Sequence, residues 1–456
     1  MTTIEHIPHI VARQRAYFHT HATRDIKFRK AALRALRAAI LLHEQELAEA
    51  LYLDLHKSYE EAYLTEISIL LGEIESHLEN LDRWTAPSKK KTPLKLFKAR
   101  SMVITEPLGV ALIIAPWNYP VQLLLNPLIG AISAGCTAVL KPSPYVPNVS
   151  RTLKKLIDNT FQEEYISIIE GHRDINEALL RERYDVIFFT GSPTLGRTVM
   201  RAAAENLTPV ILELGGKSPV VIDSTANVEL AAHRIAWGKS LNAGQTCIAP
   251  DYLLLHSDIK ERFIEAYGRA IRKLHGENVA QSKHYVRMVS DAAYQRVTGY
   301  MSDGVVRFGG GRDAATRYIE PTLLDNVSPE SRVMQEEIFG PILPIVEISS
   351  MEEAETFINN REKPLALYIF AEESKARCLL NHTSSGGACI NDVIMHIANE
   401  HLPFGGVGNS GMGRYHGRDS LYSFSHRRAV LQSSTKIDLP FRYMPYRFFR
   451  WIKRIL

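Results

Sequence analysis

The sequence predicts an α/β protein of two doubly wound domains, each a mainly parallel sheet covered by helices on both faces. Short apolar runs rich in Val, Ile and Leu recur along the chain, and stretches with helical apolar spacing separate them. Two such series follow one another, and the change falls near Gly215 and Gly216. A length of 456 residues leaves room for two or three domains, so two α/β domains account for most of the chain.

The chain opens with amphipathic helices, because apolar residues recur at helical spacing between charges from about Lys27 to Trp84. A basic stretch from Lys89 to Arg100 follows, and Ser101–Thr105 alternates like a strand exposed on one face. The first series has predicted strands at Val110–Ala115, Thr137–Leu140, Ile166–Ile169, Val186–Thr190 and Val210–Leu212, with predicted helices at Asn148–Asn159 and Thr194–Glu205. The second series has predicted strands at Val220–Ile222, Tyr252–Leu255, Leu343–Val346, Ala366–Phe370 and Ala388–Ile390, with predicted helices at Val228–Leu241, Ile259–Leu274, Met351–Asn360 and Lys375–His382.

One stretch without a charge, from Pro107 to Leu140, is long enough to raise the question of a membrane span. Its prolines, Pro116, Pro120 and Pro127, would interrupt a spanning helix and leave backbone groups unpaired in lipid. We therefore expect a buried strand, loop, helix and strand in this stretch.

Composition and charge favour a small-molecule partner. The chain has 54 Lys and Arg against 50 Asp and Glu, a net charge of +4, and no nucleic-acid-binding motif, so a nucleic-acid function has little support. Four cysteines without C-x-x-C spacing do not form a disulfide framework and indicate a reducing compartment. The amino terminus lacks the apolar segment of a secretory signal, and the cytoplasm is the expected location.

Three patterns imitate known sites and are set aside. The G-x-G-x-x-G run from Gly406 to Gly411 has no clear strand before it, and no acidic residue follows at the required distance. Gly216-Lys217-Ser218 lacks the glycine that a phosphate loop needs five positions earlier, where Ile211 stands. His396, Glu400 and His401 match no zinc-binding spacing, so no metal is expected.

The segment from Leu241 to Pro250 holds a lone cysteine, Cys247, among small, uncharged, turn-forming residues. Gly244, Gln245 and Thr246 suit an open loop whose backbone N–H groups are free to bind an anion, as a thiolate nucleophile and its oxyanion require. A structural cysteine is the alternative, although it would prefer an apolar setting. The other cysteines, Cys136, Cys378 and Cys389, lie in apolar runs and are expected in the core.

Two further residues stand directly after buried-looking strands. Glu213 follows the run Pro209–Leu212, where a carboxylate is costly unless it has a function or a partner; a salt bridge at a strand end is the alternative. Asn118 lies in the proline-fixed turn Pro116–Pro120, at the kind of position where open parallel sheets bind ligands; an ordinary turn is the alternative.

Taken together, these motifs resemble those of the aldehyde dehydrogenase superfamily over nearly the whole chain. The matching segments, in order, are Pro116-Trp-Asn-Tyr-Pro120, Lys141-Pro-Ser143, Phe189-Thr-Gly-Ser192 with Gly196, Glu213-Leu-Gly-Gly-Lys217, Gly244-Gln-Thr-Cys247, Glu336-Glu-Ile-Phe-Gly-Pro341 and Pro403-Phe-Gly-Gly406. Tyr119 and the run Gly405–Gly417 with Phe424-Ser-His426 are most similar to the class 3 branch, which includes fatty aldehyde dehydrogenases.

The resemblance implies an aldehyde dehydrogenase-like fold with the following organisation. Residues 1–85 and 107–213 would form the NAD(P)-binding domain, and 214–405 the catalytic domain. Residues 86–106 and 415–435 would form a small β oligomerisation extension that crosses to the partner in a homodimer. The sequence itself, independently of the resemblance, indicates an amphipathic basic tail at residues 440–456.

The resemblance also implies a mechanism. Cys247 would add to the aldehyde carbon, Asn118 and the backbone N–H of Cys247 would bind the oxyanion, and Glu213 would activate the water that hydrolyses the resulting thioester to the acid. An acyl-group reductase of the same superfamily is an alternative that Glu213 disfavours. A cysteine hydrolase without nicotinamide would need a histidine base that no motif identifies, and a protein that has lost its activity would have lost some of these residues.

For the cofactor, NAD with NADP as a tolerated alternative, the resemblance assigns residues from several segments. They are Trp117, Lys141, Ser143, Gly191, Ser192, Gly196, Glu337 and Phe339. Lys141 would contact the adenosine ribose, the glycine turn the pyrophosphate, and Glu337 the nicotinamide ribose, with Phe339 beside the nicotinamide. Where the family commonly has a glutamate after Lys-Pro-Ser, this chain has Pro144, which cannot repel a 2′-phosphate, so NADP should be tolerated alongside NAD.

Two expectations concern the substrate and the carboxyl terminus. The segments around Tyr119, Leu123 and Ile394 supply apolar groups and no arginine for a substrate carboxylate, which favours medium- or long-chain aliphatic or aromatic aldehydes over semialdehydes. In the tail, Phe448, Ile452, Ile455 and Leu456 share a helical face, with Arg450, Lys453 and Arg454 largely elsewhere. This pattern fits weak contact with an anionic membrane or docking on protein.

Overall fold

The structure is a computed structural model that describes residues 4–438, 440–446 and 449–454. Its strands are β1 (Ser88–Lys90), β2 (Arg100–Pro107), β3 (Val110–Ile114), β4 (Thr137–Lys141), β5 (Ile166–Ile168), β6 (Val186–Gly191), β7 (Val210–Leu214), β8 (Pro219–Ile222), β9 (Tyr252–His256), β10 (Val305–Phe308), β11 (Arg312–Asp313), β12 (Tyr318–Ile319), β13 (Thr322–Asp325), β14 (Ile342–Ile348), β15 (Ala366–Phe370), β16 (Gly387–Ile390), β17 (Gly411–Met412) and β18 (Ser425–Gln432).

The helices cover the sheets and the amino-terminal region. They are α1 (Ile7–His19), α2 (Ile26–Leu42), α3 (Glu44–Leu55), α4 (Tyr59–Ala62), α5 (Ser68–Thr85), α6 (Pro120–Ala134), α7 (Pro147–Thr160), α8 (Arg173–Arg181), α9 (Pro193–Ala204), α10 (Val228–Ser240), α11 (Lys260–His275), α12 (Asp291–Gly299), α13 (Arg332–Gln335), α14 (Met351–Asn359), α15 (Glu373–His382), α16 (Gly417–Ser423) and α17 (Phe449–Ile452). A π-helical turn, Tyr63–Ile67, joins α4 to α5.

The first sheet has the order β17-β7-β6-β3-β4-β5, with β17 antiparallel and the other neighbours parallel. The chain winds outward from β3 through β4 to β5, and then returns to the other side of β3 with β6 and β7. The strand order therefore reverses between β3 and β6, and in open α/β sheets ligands bind at the carboxyl ends of the strands at this point.

The second sheet has the order β10-β13-β14-β9-β8-β15-β16, in which only the β10–β13 pair is antiparallel among the described strands. Two doubly wound sheets confirm the predicted α/β class. Each strand and helix predicted for the two series lies within two residues of its observed bounds. Strands β10 and β13 were not predicted; β10 is an exposed strand at the edge of the sheet and lacks the pattern of a buried strand.

The uncharged stretch from Pro107 to Leu140 folds as expected, with β3, α6 and β4 all buried. Pro120 occupies the first position of α6, where a missing N–H is harmless, and Pro127 lies inside the helix. No helix within the described ranges has the length and apolarity needed to cross a membrane.

The small third sheet has the order β1-β2-β18, and all eight residues of β18 pair with β2. It includes the strand predicted at Ser101–Thr105. Its residues are exposed or half-buried except Pro107, and the described part of the chain covers neither outer edge. Helix α16, which precedes β18, packs on α6 beneath the first sheet.

Two expectations about single residues are corrected. Cys136 is buried as predicted, but Cys378 is exposed and Cys389 is half-buried, because α15 turns Cys378 outward and β16 lies at the edge of its sheet.

Of the apolar tail face, Phe448, Ile455 and Leu456 lie outside the described residues, and the side chain of Ile452 is also not described.

Candidate active site

Asn118 lies in the turn between β3 and α6, at the carboxyl edge of the first sheet, and is almost fully buried. Its amide nitrogen Nδ2 donates a hydrogen bond to the backbone oxygen of Gln245 at 3.1 Å. Its Oδ1 has no partner among the described residues. The side chain predicted to bind an oxyanion therefore lies against the loop that carries Cys247.

The loop before Cys247 is held in an unusual backbone conformation. Asn242, Ala243 and Gly244 follow one another with φ of 50°, 50° and 71°, in the left-handed region. A Cβ at position 244 would lie 2.4 Å from the backbone oxygen of Gly340, so only glycine fits there.

The expectation of an open loop is wrong, because this loop is buried. Gln245 is fully buried: its Nε2 donates to the backbone oxygen of Arg287 at 3.1 Å, and its Oε1 accepts from the N–H of Val289 at 3.0 Å. Asn242 is also fully buried and donates through Nδ2 to the backbone oxygens of Asn118 and Gln245. The turn-forming polar residues thus satisfy buried backbone groups instead of facing water.

The Cys247 thiol lies in a low-dielectric, negatively charged setting. Burial raises its pKa to about 12, and the carboxyl groups of Glu337 and Glu213 add to the rise. The thiol is therefore protonated at neutral pH and needs a nearby proton acceptor to become a nucleophile.

Glu213 lies near the carboxyl end of β7, and only 3% of it is exposed. Neither carboxyl oxygen has a hydrogen-bond partner among the described residues, so the salt-bridge alternative finds no support there. Burial raises its pKa well above the usual range, and the positive charge of Arg414 opposes this rise. A buried, unpaired carboxyl group that acts electrostatically on a thiol is suited to accept a proton.

The second sheet contributes Glu337 and Phe339 from the segment between α13 and β14. Burial, followed by the charge of Asp251, raises the pKa of Glu337 to about 8, while the Gly216 N–H and Lys217 oppose the rise. Glu337 lies so close over Gly215 that a Cβ there would meet its Oε2 at 2.1 Å. The Phe339 ring, whose residue has φ of 47°, contacts the Trp117 ring edge-to-face at 5.4 Å.

The remaining predicted cofactor residues lie along the first sheet. Lys141 ends β4 in register with Ile114 of β3, and Gly191 ends β6 on the other side of β3. Ser192 caps α9, and its Oγ accepts from the Leu195 N–H at 3.4 Å. Gly196 lies on α9 so close to β7 that a Cβ would meet Leu214 at 2.7 Å. Ser143 is buried two residues beyond Lys141.

These residues fit a dinucleotide. The turn at the amino end of α9 offers backbone N–H groups and a positive dipole end for a pyrophosphate. Glu337 has an unpartnered buried oxygen, Oε1, for a ribose hydroxyl. Phe339 and Trp117 come from different sheets and meet edge-to-face, so a ring bound between these sheets would lie near both.

A cavity of about 440 Å³ opens beside Cys247. Tyr119, Leu123 and Ile394 line it as predicted, together with Leu64, Trp237 and Phe404. No lysine or arginine from the described part of the chain lines it, whereas two acidic residues, Glu73 and Glu400, do. An apolar molecule without a negative charge is the ligand that this wall suits best.

The sequence did not predict two features of this site, a wall formed by the amino-terminal helices and a contact between its two loops. The turn Tyr63–Ile67 and the start of α5 line the cavity, although their pattern indicated only a surface helix. The Tyr119 hydroxyl lies 2.6 Å from Thr246 Oγ1, which ties the Asn118 loop to the Cys247 loop. The apolar positions of the opening helices gave no signal that separates a cavity wall from an ordinary core.

Comparison with known proteins places the chain in a family. The model of the aldehyde dehydrogenase family matches residues 1–430. A 4,4′-diaponeurosporen-aldehyde dehydrogenase of Staphylococcus aureus is 48% identical over 96% of each chain. A dimeric NADP-preferring aldehyde dehydrogenase of Canis lupus familiaris is 45% identical over 96% of this chain and 98% of its own.

Solved structures agree. The substrate-bound state of Staphylococcus aureus AldH is 47% identical, covers 100% of both chains and superposes with a TM-score of 0.97. The indole-3-acetaldehyde dehydrogenase AldA of P. syringae in complex with NAD+ is 26% identical, covers 94% of this chain and 89% of its own, and has a TM-score of 0.87.

The chain belongs to the aldehyde dehydrogenase family. It is an oxidoreductase that uses NAD or NADP to oxidise aldehydes, as the resemblance of its motifs implied.

The raised pKa of Cys247 predicts how the thiol of the cofactor-free protein reacts. Because the thiolate fraction increases about tenfold per pH unit below the pKa, alkylation of Cys247 by iodoacetamide should accelerate about tenfold per unit from pH 7 to 9. Mass spectrometry of the Cys247 peptide measures this rate, and the Cys247→Ser variant gives the background from the other thiols. A rate that already levels off below pH 8 would show a low-pKa thiolate and contradict the prediction.

Proposed function

We propose that this protein oxidises apolar aldehydes, of medium or long aliphatic chain or aromatic, to carboxylic acids through a thioester on Cys247. The observation that carries the proposal is the apolar cavity that Cys247 lines, which has no lysine or arginine among the described residues that line it. Its two acidic wall residues, Glu73 and Glu400, disfavour an aldehyde that carries a carboxylate.

In the first half of the reaction, Cys247 is the nucleophile and Asn118 is a hydrogen-bond donor. Glu213 accepts the proton of the Cys247 thiol and releases it to solvent, the sulfur adds to the aldehyde carbon, and the carbonyl oxygen takes the negative charge. The Nδ2 of Asn118 and the backbone N–H of Cys247 donate hydrogen bonds to this oxygen. NAD or NADP, which Ser192 and Glu337 would help to hold, would supply the acceptor for the hydride of this carbon. The oxygen then regains its double bond, and the carbon stays attached to sulfur as a thioester.

In the second half of the reaction, Glu213 acts as the general base. Its buried, unpartnered carboxylate takes a proton from water, which attacks the thioester carbon. The thiolate of Cys247 leaves as the carboxylic acid forms, and Glu213 returns the proton to it. The raised pKa of Glu213 makes it a stronger base than an exposed glutamate, because water does not stabilise its charged form.

The alternatives lack support in the site. An acyl-group reductase is disfavoured by Glu213, a buried, unpartnered carboxyl group that acts electrostatically on the Cys247 thiol and that such an enzyme would not need. A cysteine hydrolase needs a histidine that bonds the thiol, and within the described structure the groups that act on Cys247 are the carboxyl groups of Glu337 and Glu213.

A panel of aldehydes tests the proposed function. We expect kcat/KM to rise about fourfold per added methylene from propanal upward, since a buried methylene contributes about 0.8 kcal/mol, until the cavity is full. Absorbance of the reduced nicotinamide measures the rates. In Glu213→Gln an acyl adduct on Cys247 should accumulate, visible by mass spectrometry.

The controls are Cys247→Ser, which should give neither adduct nor turnover, and succinic semialdehyde, which should be a poor substrate. Acid formation by the wild type without an adduct on Cys247 in either protein would refute the thioester route. A semialdehyde oxidised as well as a long alkanal would refute the substrate class.

The cofactor preference follows from Pro144, which is half-buried beside Ser143. We propose that the chain uses NADP as well as NAD, with a preference for NAD in kcat/KM below about a thousandfold, or roughly 4 kcal/mol. Pro144→Glu should lower kcat/KM with NADP at least tenfold and change the value with NAD less than threefold, because a carboxylate repels the 2′-phosphate. Pro144→Gln, which adds the same bulk without charge, is the control. Equal losses in both variants would contradict the electrostatic reason.

We propose that residues 1–85 and 107–213 bind the cofactor, that 214–405 form the catalytic domain, and that 86–106 and 415–435 join two subunits in a homodimer. The exposed β18 supports the dimer, because an uncovered edge strand is a ready site for pairing with another chain. The name of the canine relative, which is called dimeric, also supports it.

We propose further that the protein is cytoplasmic and that its basic tail, residues 440–456, makes weak contact with an anionic membrane. The four cysteines are free thiols, which supports a reducing compartment. Tyr443, Met444, Tyr446 and Phe449 are exposed apolar side chains near Arg442 and Arg450 in this segment, a combination that suits a lipid surface.

Sedimentation of the full chain and of a chain that ends at Ile437 tests both assembly proposals. Both proteins should be dimers, because β18 is retained, and only the full chain should pellet with phosphatidylserine vesicles. Neutral phosphatidylcholine vesicles are the control. Monomers would refute the dimer, and equal pelleting of the two proteins would refute the membrane contact.

A further inference from the structure

A cluster of charged residues lies next to the active site and has no part in the reaction described above. Lys57 Nζ donates to Glu66 Oε1 at 2.6 Å, and both side chains are entirely buried. Removing two charges from water is expensive, and such a pair is often no more stabilising than apolar side chains of the same size. The presence of this buried ion pair is therefore better explained by a role other than stabilising the fold.

Glu66 connects to the Asn118 loop through the start of α6. Its second oxygen, Oε2, accepts from the N–H groups of Val121 at 2.8 Å and Gln122 at 3.2 Å. These groups are in the first turn of the helix, where backbone N–H groups have no partner within the helix. Lys57 Nζ also donates to the backbone oxygen of Asn118 at 3.3 Å. The ion pair thus holds both sides of the turn that presents the Asn118 amide.

A second carboxylate of the same segment holds the other loop. Glu61 Oε1 accepts from the N–H of Asn242 at 2.8 Å, at the start of the loop that leads to Cys247. Asn242 in turn donates through Nδ2 to the backbone oxygen of Asn118 at 2.9 Å. The two halves of the oxyanion site are therefore tied to each other and to one short segment of chain.

The π-helical turn explains how one segment reaches both loops. Glu61 and Glu66 are five residues apart, which in a regular α-helix would place them about 140° apart around the axis. The turn Tyr63–Ile67 follows Glu61 and includes Glu66, and its wider i to i+5 repeat brings residues five apart toward the same side. π-Helical turns occur frequently at functional sites.

We infer that Lys57, Glu61 and Glu66 are positioning residues that fix the Asn118 amide relative to the Cys247 thiol. This inference rests on the proposed function, in which that amide binds the oxyanion. A shift of about 1 Å in such a donor can reduce a rate about a hundredfold, so the effect should appear in kcat and not in aldehyde binding.

The test is a double-mutant cycle between Glu66→Gln and Asn118→Ala. Asn118→Ala alone should lower kcat about 10²- to 10³-fold. Glu66→Gln alone should lower kcat about 10- to 100-fold with less than a threefold change in KM. In the Asn118→Ala background, Glu66→Gln should change kcat less than threefold, because the amide that it positions is already absent.

Alkylation of Cys247 by iodoacetamide separates positioning from general damage. This reaction forms no oxyanion, so its rate in Glu66→Gln should stay within twofold of the wild type. Asp54→Asn is the matched control, since the Asp54 carboxylate accepts from the Val149 N–H at 2.9 Å at the start of α7, away from both loops. Asp54→Asn should leave kcat within twofold.

Three results would each overturn the inference. Glu66→Gln could lower kcat equally in the wild-type and Asn118→Ala backgrounds, or lower the Cys247 alkylation rate as much as kcat. Asp54→Asn could lower kcat as much as Glu66→Gln does. If Glu66→Gln does not fold, Glu61→Gln, which touches only the Asn242 side, takes its place with the same expectations. Failure of the proposed function itself is distinguishable, because the wild type would then form no acyl adduct on Cys247.

Discussion

The chemistry of this enzyme depends on hydrogen bonds between two loops that leave different sheets. Asn118 follows β3 of the first sheet, and the Cys247 loop precedes β9 of the second. The amide of Asn118 donates to the backbone oxygen of Gln245, and the amide of Asn242 donates back to the backbone oxygen of Asn118. No single element holds both the thiol and the oxyanion donor, so their spacing is set by these bonds and by the side chains behind them.

In the active-site cleft, moving one negative charge from one group to another costs less free energy than creating several negative charges. Burial raises the pKa of Cys247 to about 12 and of Glu337 to about 8, and raises the pKa of Glu213 well above its usual range. Several negative charges in such a setting are unfavourable together, but a proton that moves from the thiol to a carboxylate leaves the total charge unchanged. In the proposed mechanism the charge then passes to the aldehyde oxygen, where Asn118 and a backbone N–H would bind it.

The sequence predicts the strands and helices well and the packing of polar residues poorly, for physical reasons. Parallel strands buried on both faces have continuous apolar runs, so strands such as Ala366–Phe370 are found at their observed bounds. The loop at Asn242 and Gln245 was expected to be open, because nothing in its own sequence shows that Arg287 and Val289 supply buried backbone partners. Lys57 and Glu66 look like an exposed charged helix in the sequence, since the pattern cannot show what covers them.

The doubly wound topology explains why residues far apart in the chain meet, but it accounts for only half of the proposed cofactor site. Any such sheet brings the carboxyl ends of β3, β4 and β6 to one edge, and so gathers Trp117, Lys141 and Gly191. Glu337 and Phe339 belong to the second sheet, and the edge-to-face contact of Phe339 with Trp117 joins the two halves. A dinucleotide bound by both halves would therefore stabilise their closed arrangement as well as take part in the reaction, because a ligand stabilises whichever arrangement binds it more tightly.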